Sequence, residues 1–199
     1  MRKMAEFQLR PAAKGDAPAI AKLFLISSDG LAGYIWSKMA GPDESMEAVG
    51  ARRYARENTA FSFENCTILE GSRKIAGMLH GFKMEEDPDA ADANTAPEAD
   101  PVLRPYRELE DYGSFYVSGV TVEEEFRGQG LGTWLMQTAE ARAKDLRLPR
   151  VSLICFERNE SAYRFYERFG YRELMRRALV PSHFLHYKAG DAVLLAKEI

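Results

Sequence analysis

A chain of 199 residues with 46% hydrophobic and 29% charged residues can enclose one buried core and has the composition of an ordinary soluble globular protein. Its net charge of −3 and pI near 5.7 exclude the basic footprint expected of a nucleic-acid binder. Two cysteines, Cys66 and Cys155, are too few for a disulfide framework in a chain of this size and fit a reducing compartment.

The opening residues Met1 to Glu6 carry charge with no apolar run behind them, so no signal peptide is expected. No stretch is apolar for long enough to cross a bilayer, and the expected setting is the cytoplasm, without membrane or nucleic-acid partners. Phe7 and Leu9 alternate with polar neighbours up to Pro11, which predicts a short first strand. Asp16 as N-cap and Pro18 in the first turn predict a helix carrying Ala19, Ile20, Leu23, Phe24 and Ile26, ending at Ser27-Ser28-Asp29-Gly30. A second helix is expected from near Asp43, with Met46, Val49, Ala51 and Tyr54 on its inner face. Between them, Leu31 to Met39 holds Tyr34 and Trp36 and reads as core between two helices. Cys66 to Leu69 and Ile75 to Leu79, on either side of Gly71-Ser72, predict an antiparallel hairpin. Gly77 inside its second strand points to a bulge or a close backbone approach.

From Glu85 to Asp111 there are ten acidic and two basic residues and four prolines. Its first part, Pro88 to Pro101, reads as a solvated loop inserted in a single domain spanning 1–199, with a lid or acidic rim as the other reading. Tyr106, Leu109 and Tyr112 predict that its second half packs down. Phe115 to Val122 then has a strand's composition, and Leu131, Leu135, Ala139, Ala143 and Leu146 form a helical stripe ending near Leu146 to Leu148. Val151 to Phe156 is a further strand, and strand, helix, strand in this order predicts a parallel pair. A helix from Asn159 carries Ala162, Phe165, Tyr166 and Phe169 and stops at Gly170. Tyr171 onward and Ala192 to Ala196 complete the strands.

The chemistry concentrates between Val120 and Thr133. Three carboxylates, Glu123 to Glu125, precede Arg127-Gly128-Gln129-Gly130-Leu131-Gly132-Thr133, where a helix begins. Glycines ahead of a helix N-terminus let backbone N–H groups converge on an anion, which the helix dipole favours. A P-loop would need a lysine before the threonine, and Gly132-Thr133 has none. A dinucleotide fold would place Gly-x-Gly-x-x-Gly directly after the first strand, whereas here Gly128, Gly130 and Gly132 alternate past mid-chain. His80, His183 and His186 lack a metal-ligand partner set, and no metal is expected.

Val120-x-Val122 followed by Arg127-Gly128-Gln129-Gly130-Leu131-Gly132 resembles the acetyl-CoA signature of the GNAT superfamily of N-acetyltransferases. Asn159-x-x-Ala162-x-x-Phe165-Tyr166, running on to Gly170-Tyr171, is similar to the next block of that superfamily, so the likeness spans Val120 to Tyr171. Glu124 departs from it, standing where a proline is common, and the insert before Phe115 belongs to no general family pattern.

The resemblance implies an α/β (α+β-type) fold, a mixed central sheet with splayed strands flanked by helices, and acetyl-CoA as co-substrate. It implies that backbone groups of Val120, Thr121 and Val122 pair with the pantetheine arm, and that amides from Gly128 through Gln129, Gly130, Leu131 and Gly132 to Thr133 hold the pyrophosphate. Arg127 either bonds locally or reaches a phosphate. Asn159 caps its helix and touches the cofactor arm beside Ala162 and Phe165, and Tyr166 gives a proton to the departing thiolate. The expected reaction is direct attack by a primary amine within a ternary complex. An alkyl ammonium, with a pKa of about 10.4, must first lose a proton, so a carboxylate base is expected, Glu110 first and Asp111 as its rival. A backbone N–H near Val122 would face the oxyanion. The acidic insert would suit a cationic acceptor, and a homodimer completed by Pro181 to Ile199 is a further expectation. The other functional class is a non-catalytic acyl-CoA sensor or interaction module on the same fold.

Overall fold

The computed structural model describes residues 6–71, 74–85 and 100–199. The readings of Met1 to Ala5, of Ser72 and of the loop from Pro88 to Pro97 lie outside the described residues. The chain forms two compact units, Met1–Phe82 with Ser118–Ala139, and Lys83–Val117 with Glu140–Ile199. Strands β1 (Gln8–Pro11), β2 (Cys66–Glu70), β3 (Ile75–Lys83), β4 (Phe115–Val122), β5 (Arg150–Phe156), β6 (Arg172–Ala178) and β7 (Asp191–Glu198) join in one mixed sheet of order β1-β2-β3-β4-β5-β7-β6. Among the described residues no helix is long and apolar enough to cross a membrane.

In the first unit, helix α1 (Ala17–Ser27) buries Ile20, Ala21, Leu23 and Phe24 as its periodicity predicts. Asp16 occupies the N-cap, but its carboxylate makes no cap bond to the helix. It is held instead by Arg10, through Nη1 at 2.7 Å and Nη2 at 2.9 Å, and by the Ala13 N–H. A two-pronged guanidinium outcompetes a single backbone donor, and it holds the Asp16 carboxyl below the ordinary carboxylate range. The segment after Gly30 is itself a helix, α2 (Leu31–Ser37), with Trp36 in the core. Helix α3 (Met46–Tyr54) starts later than Asp43, because the Ser45 hydroxyl caps it through the Ala48 N–H while Asp43 sits at φ 60°.

The hairpin of β2 and β3 pairs antiparallel as expected. At Gly77 an added Cβ would stand 2.4 Å from the Thr121 carbonyl oxygen and 3.2 Å from the Val122 Cα, so this is a close backbone approach. Thr121 is fixed from another side by its own hydroxyl, which donates to the Leu23 carbonyl at 2.9 Å. Gly77→Ala should therefore cost about 2 to 3 kcal/mol, because backbone rather than a flexible side chain must yield. Urea unfolding checks it, and a midpoint unchanged from the parent would show that the strands move apart freely.

In the second unit, β4 and β5 pair in parallel through two rows, Phe115 with Val151 and Tyr116 with Ser152. Antiparallel pairs of β5 with β7 and β6 with β7 follow. Helix α5 (Leu131–Asp145) spans the change from one unit to the other. It ends one residue before the predicted stop. Leu148 N–H returns to the Ala143 carbonyl and Arg147 turns to φ 56°, so Leu146 is left 52% exposed instead of extending the buried stripe. The described half of the insert packs down through Tyr106 and Leu109, while Tyr112 points to solvent. One helical turn, α4 (Arg104–Arg107), lies in this stretch, and α6 (Glu160–Arg168) follows β5.

Candidate active site

The predicted site residues fall in both compact units, and each set has its own local order. In the first unit β4 alternates strictly, with Gly119 and Thr121 buried and Val120 and Val122 half-buried on the other face. Because the Thr121 side chain is spent on Leu23, this part of the strand offers a ligand only backbone and the two valines. A 3₁₀ turn, Glu124–Phe126, leads into the glycine loop. Gly128 (φ 73°) and Gly130 (φ 82°) adopt the left-handed conformation that other residues resist, and an added Cβ at either would meet nothing within 4 Å. The glycines therefore leave open space beside the backbone instead of relieving a clash.

Helix α5 begins directly after them. Trp134 N–H donates to the Gly130 carbonyl at 3.1 Å, so the N–H groups of Leu131, Gly132 and Thr133 belong to the first turn, which has no intrahelical acceptors. The acidic run ahead of the loop is countered from elsewhere in the unit. Lys22 pairs with Glu123 at 3.0 Å and Lys74 pairs with Glu125. The Arg127 Nε donates to the Val122 carbonyl at 2.9 Å and ties the loop back to the end of β4. Open space at two left-handed glycines, orphan helix donors and a neutralised approach together fit a diphosphate.

A model of the acetyltransferase (GNAT) family matches residues 34–171, more than half of the chain. This chain belongs to the GNAT acetyltransferase family. A relative named "Uncharacterized N-acetyltransferase YdgE", from Bacillus subtilis (strain 168), is 36% identical over 73 residues, a match covering 37% of this chain and 42% of that protein. An N-acetyltransferase structure from Staphylococcus aureus Mu50 is similar at a TM-score of 0.64 and 17% identity, covering 96% of this chain and 100% of that one. The structure of yncA, a putative acetyltransferase from Salmonella typhimurium with its cofactor acetyl-CoA, is similar at a TM-score of 0.60 and 15% identity, covering 97% and 94%. At these identities the structures establish a shared GNAT fold.

In the second unit of this GNAT chain, Asn159 is the N-cap of α6. Its side-chain oxygen accepts from the Ala162 N–H at 3.3 Å and from the Ser161 hydroxyl. Tyr166 is half-buried on that helix, edge-on to Phe165 at 5.3 Å and to Tyr171 at 5.9 Å. Phe165 itself stacks on Phe169. The Tyr171 hydroxyl is buried, and burial followed by the charge of Glu140 pushes its ionisation far up.

The two carboxylates proposed as base differ sharply. Asp111 is 7% exposed and receives two bonds from Arg150, from Nε at 2.8 Å and from Nη2. Beside it the Ser114 and Ser152 hydroxyls bond at 2.6 Å, fastening the start of β4 to β5. Asp111 thus acts as a fastener. Glu110 is exposed, accepts the Tyr112 hydroxyl, and its charge adds to burial in raising the Tyr116 phenol. Neither the Asp111–Arg150 pair nor the serine pair was legible in the sequence, since about forty residues separate the partners. Among the described residues no group of three or more His, Cys, Asp or Glu could hold a metal ion.

Proposed function

We propose that this chain, acting as one domain over residues 1–199, transfers an acetyl group from acetyl-CoA to a primary amine by direct attack in a ternary complex. The observation that carries the reading is the glycine loop: two left-handed glycines with open space at their Cβ positions, running into the first turn of α5, whose N–H groups have no intrahelical acceptors. The backbone from Gly128 to Thr133 is the proposed seat of the pyrophosphate, and Val120 to Val122 that of the pantetheine arm. When bound, acetyl-CoA supplies an activated thioester. The chain's own groups do the rest. Arg127 holds the loop against Val122, backbone N–H near Val122 binds the thioester oxygen, and Tyr166 donates a proton to the sulfur. Glu110 rather than Asp111 is the proposed base, because Asp111 is committed to Arg150. In the described part of the insert Glu108 pairs with Arg177 and Asp111 with Arg150, so neither of these two carboxylates is loose for a cationic acceptor.

Titration calorimetry tests the reading. Acetyl-CoA should bind the parent, and Gly130→Val should weaken that binding about 30-fold or more, because a β-branched residue cannot hold this φ and its side chain would fill the space. No heat with the parent would overturn the proposal. Binding without thioester cleavage by any of a panel of amines would move the chain to the sensor class.

A further inference from the structure

Three arginines crowd the end of α3, and two of them are accounted for. Arg52 donates to both oxygens of Glu44 and to the Met39 carbonyl. Arg56 donates to the carbonyls of Arg53, at 2.9 Å, and Phe61, at 3.4 Å, closing the helix end. Arg53 is different. Its guanidinium lies over the Phe61 ring, 4.7 Å from the centroid, and among the described residues its one side-chain hydrogen bond reaches the Met39 sulfur at 3.6 Å. A thioether is a weak acceptor. Among the described residues Arg53 has no oxygen acceptor and no carboxylate at ion-pair distance. The acids that follow are already engaged, Glu57 by Lys14 and Glu64 by the Asn58 N–H and the Ser62 hydroxyl. Burial first, then the like charge of Arg56, disfavours the Arg53 cation. The helix C-terminus favours a positive charge there but supplies no acceptor for these donors.

A planar guanidinium with one face covered by an aromatic ring and, among the described residues, no oxygen on its donor edge is suited to take a carboxylate in a two-pronged bond. Its place in the unit indicates whose carboxylate. Phe61 packs on Phe24, with centroids 6.1 Å apart, and Phe24 is the ring that a Cβ on Gly119 would touch at 3.0 Å. Arg53 is therefore separated by two aromatic rings from Gly119, the β4 residue just before the backbone proposed to carry the pantetheine arm. We propose that Arg53 binds the carboxylate of the acceptor, which is an amino acid or peptide whose reacting amine lies several bonds from that carboxylate. The identity of the acceptor rests on the acetyltransferase reading. The anion site itself does not.

Two arms test it. In the first, acetyl transfer is followed to ω-aminocarboxylates of three to seven carbons and to their primary amides. The parent should prefer the acids by about tenfold or more at one chain length, the size of a charged hydrogen-bonded contact. Arg53→Gln should erase the preference by raising KM for the acids with little change in kcat, leaving the amides unaffected, and Arg53→Lys should recover part of it. In the second, without acetyl-CoA, the Arg53 Nε–H resonance is titrated with 6-acetamidohexanoate and with 6-acetamidohexanamide. Saturable displacement by the acid alone supports the site even if no transfer is seen. Equal response to both, or none, overturns it, as does equal use of acids and amides by the parent.

Discussion

Tyr166→Phe should lower kcat about 100-fold while acetyl-CoA affinity stays within about twofold of the parent, the size expected for loss of one proton donor. The substitution removes a single oxygen. The ring contacts that seat the residue, edge-on to Phe165 and Tyr171, survive it. If Tyr166 served only packing, the phenylalanine would change neither turnover nor binding, and if it held the cofactor, both would fall together. Only a group acting on the leaving sulfur separates them. Steady-state rates at saturating acetyl-CoA, paired with calorimetry, read the difference. Tyr163→Phe on the same helix is the control, since its hydroxyl is spent on Glu173, and it should leave kcat unchanged.

Arg150→Met should destabilise the protein by about 3 kcal/mol, because it strands a carboxylate that is removed from water. For a chain of this length that corresponds to a fall in Tm of roughly 6 to 12 °C. The reverse change, Asp111→Asn, should cost less. Arg150 is the more exposed partner, with 32% of its side chain accessible against 8% for Asp111, and it keeps Glu198 at 3.8 Å. The double variant should recover much of the single loss, since two uncharged partners leave no lone buried charge. Circular dichroism melts of the four proteins decide. A loss below about 1 kcal/mol for Arg150→Met would place the pair with ordinary surface bridges.

Much of the frame was legible because local signals agreed with the final packing. The glycine loop, the start of α5 at Leu131 and the close approach at Gly77 each follow from short-range chemistry. Failures came where a distant partner decided. Asp16 has the sequence of a capping residue, yet Arg10 draws its carboxylate away. Tyr112 and Leu146 have the right spacing for burial, and each is exposed because the chain has already turned. Asp111 and Glu110 are adjacent carboxylates with no local feature to tell them apart. Arg150, from the next strand, makes one of them a fastener. Arg53 gave no signal at all, since what marks it is the lack of a carboxylate at ion-pair distance among the described residues, and spacing in the sequence does not reveal that.

The lysines that meet the acidic run before the glycine loop carry one more implication. Lys22 and Lys74 stand largely in solvent, and so does Glu125, so these pairs weaken as ions accumulate. Rising ionic strength then acts twice on the proposed diphosphate seat. It screens the attraction of the helix end, and it loosens the cations that cancel Glu123 and Glu125, returning negative charge to the approach. If the loop holds the coenzyme as proposed, that hold should fall with added salt more steeply than the loop's own amides would dictate.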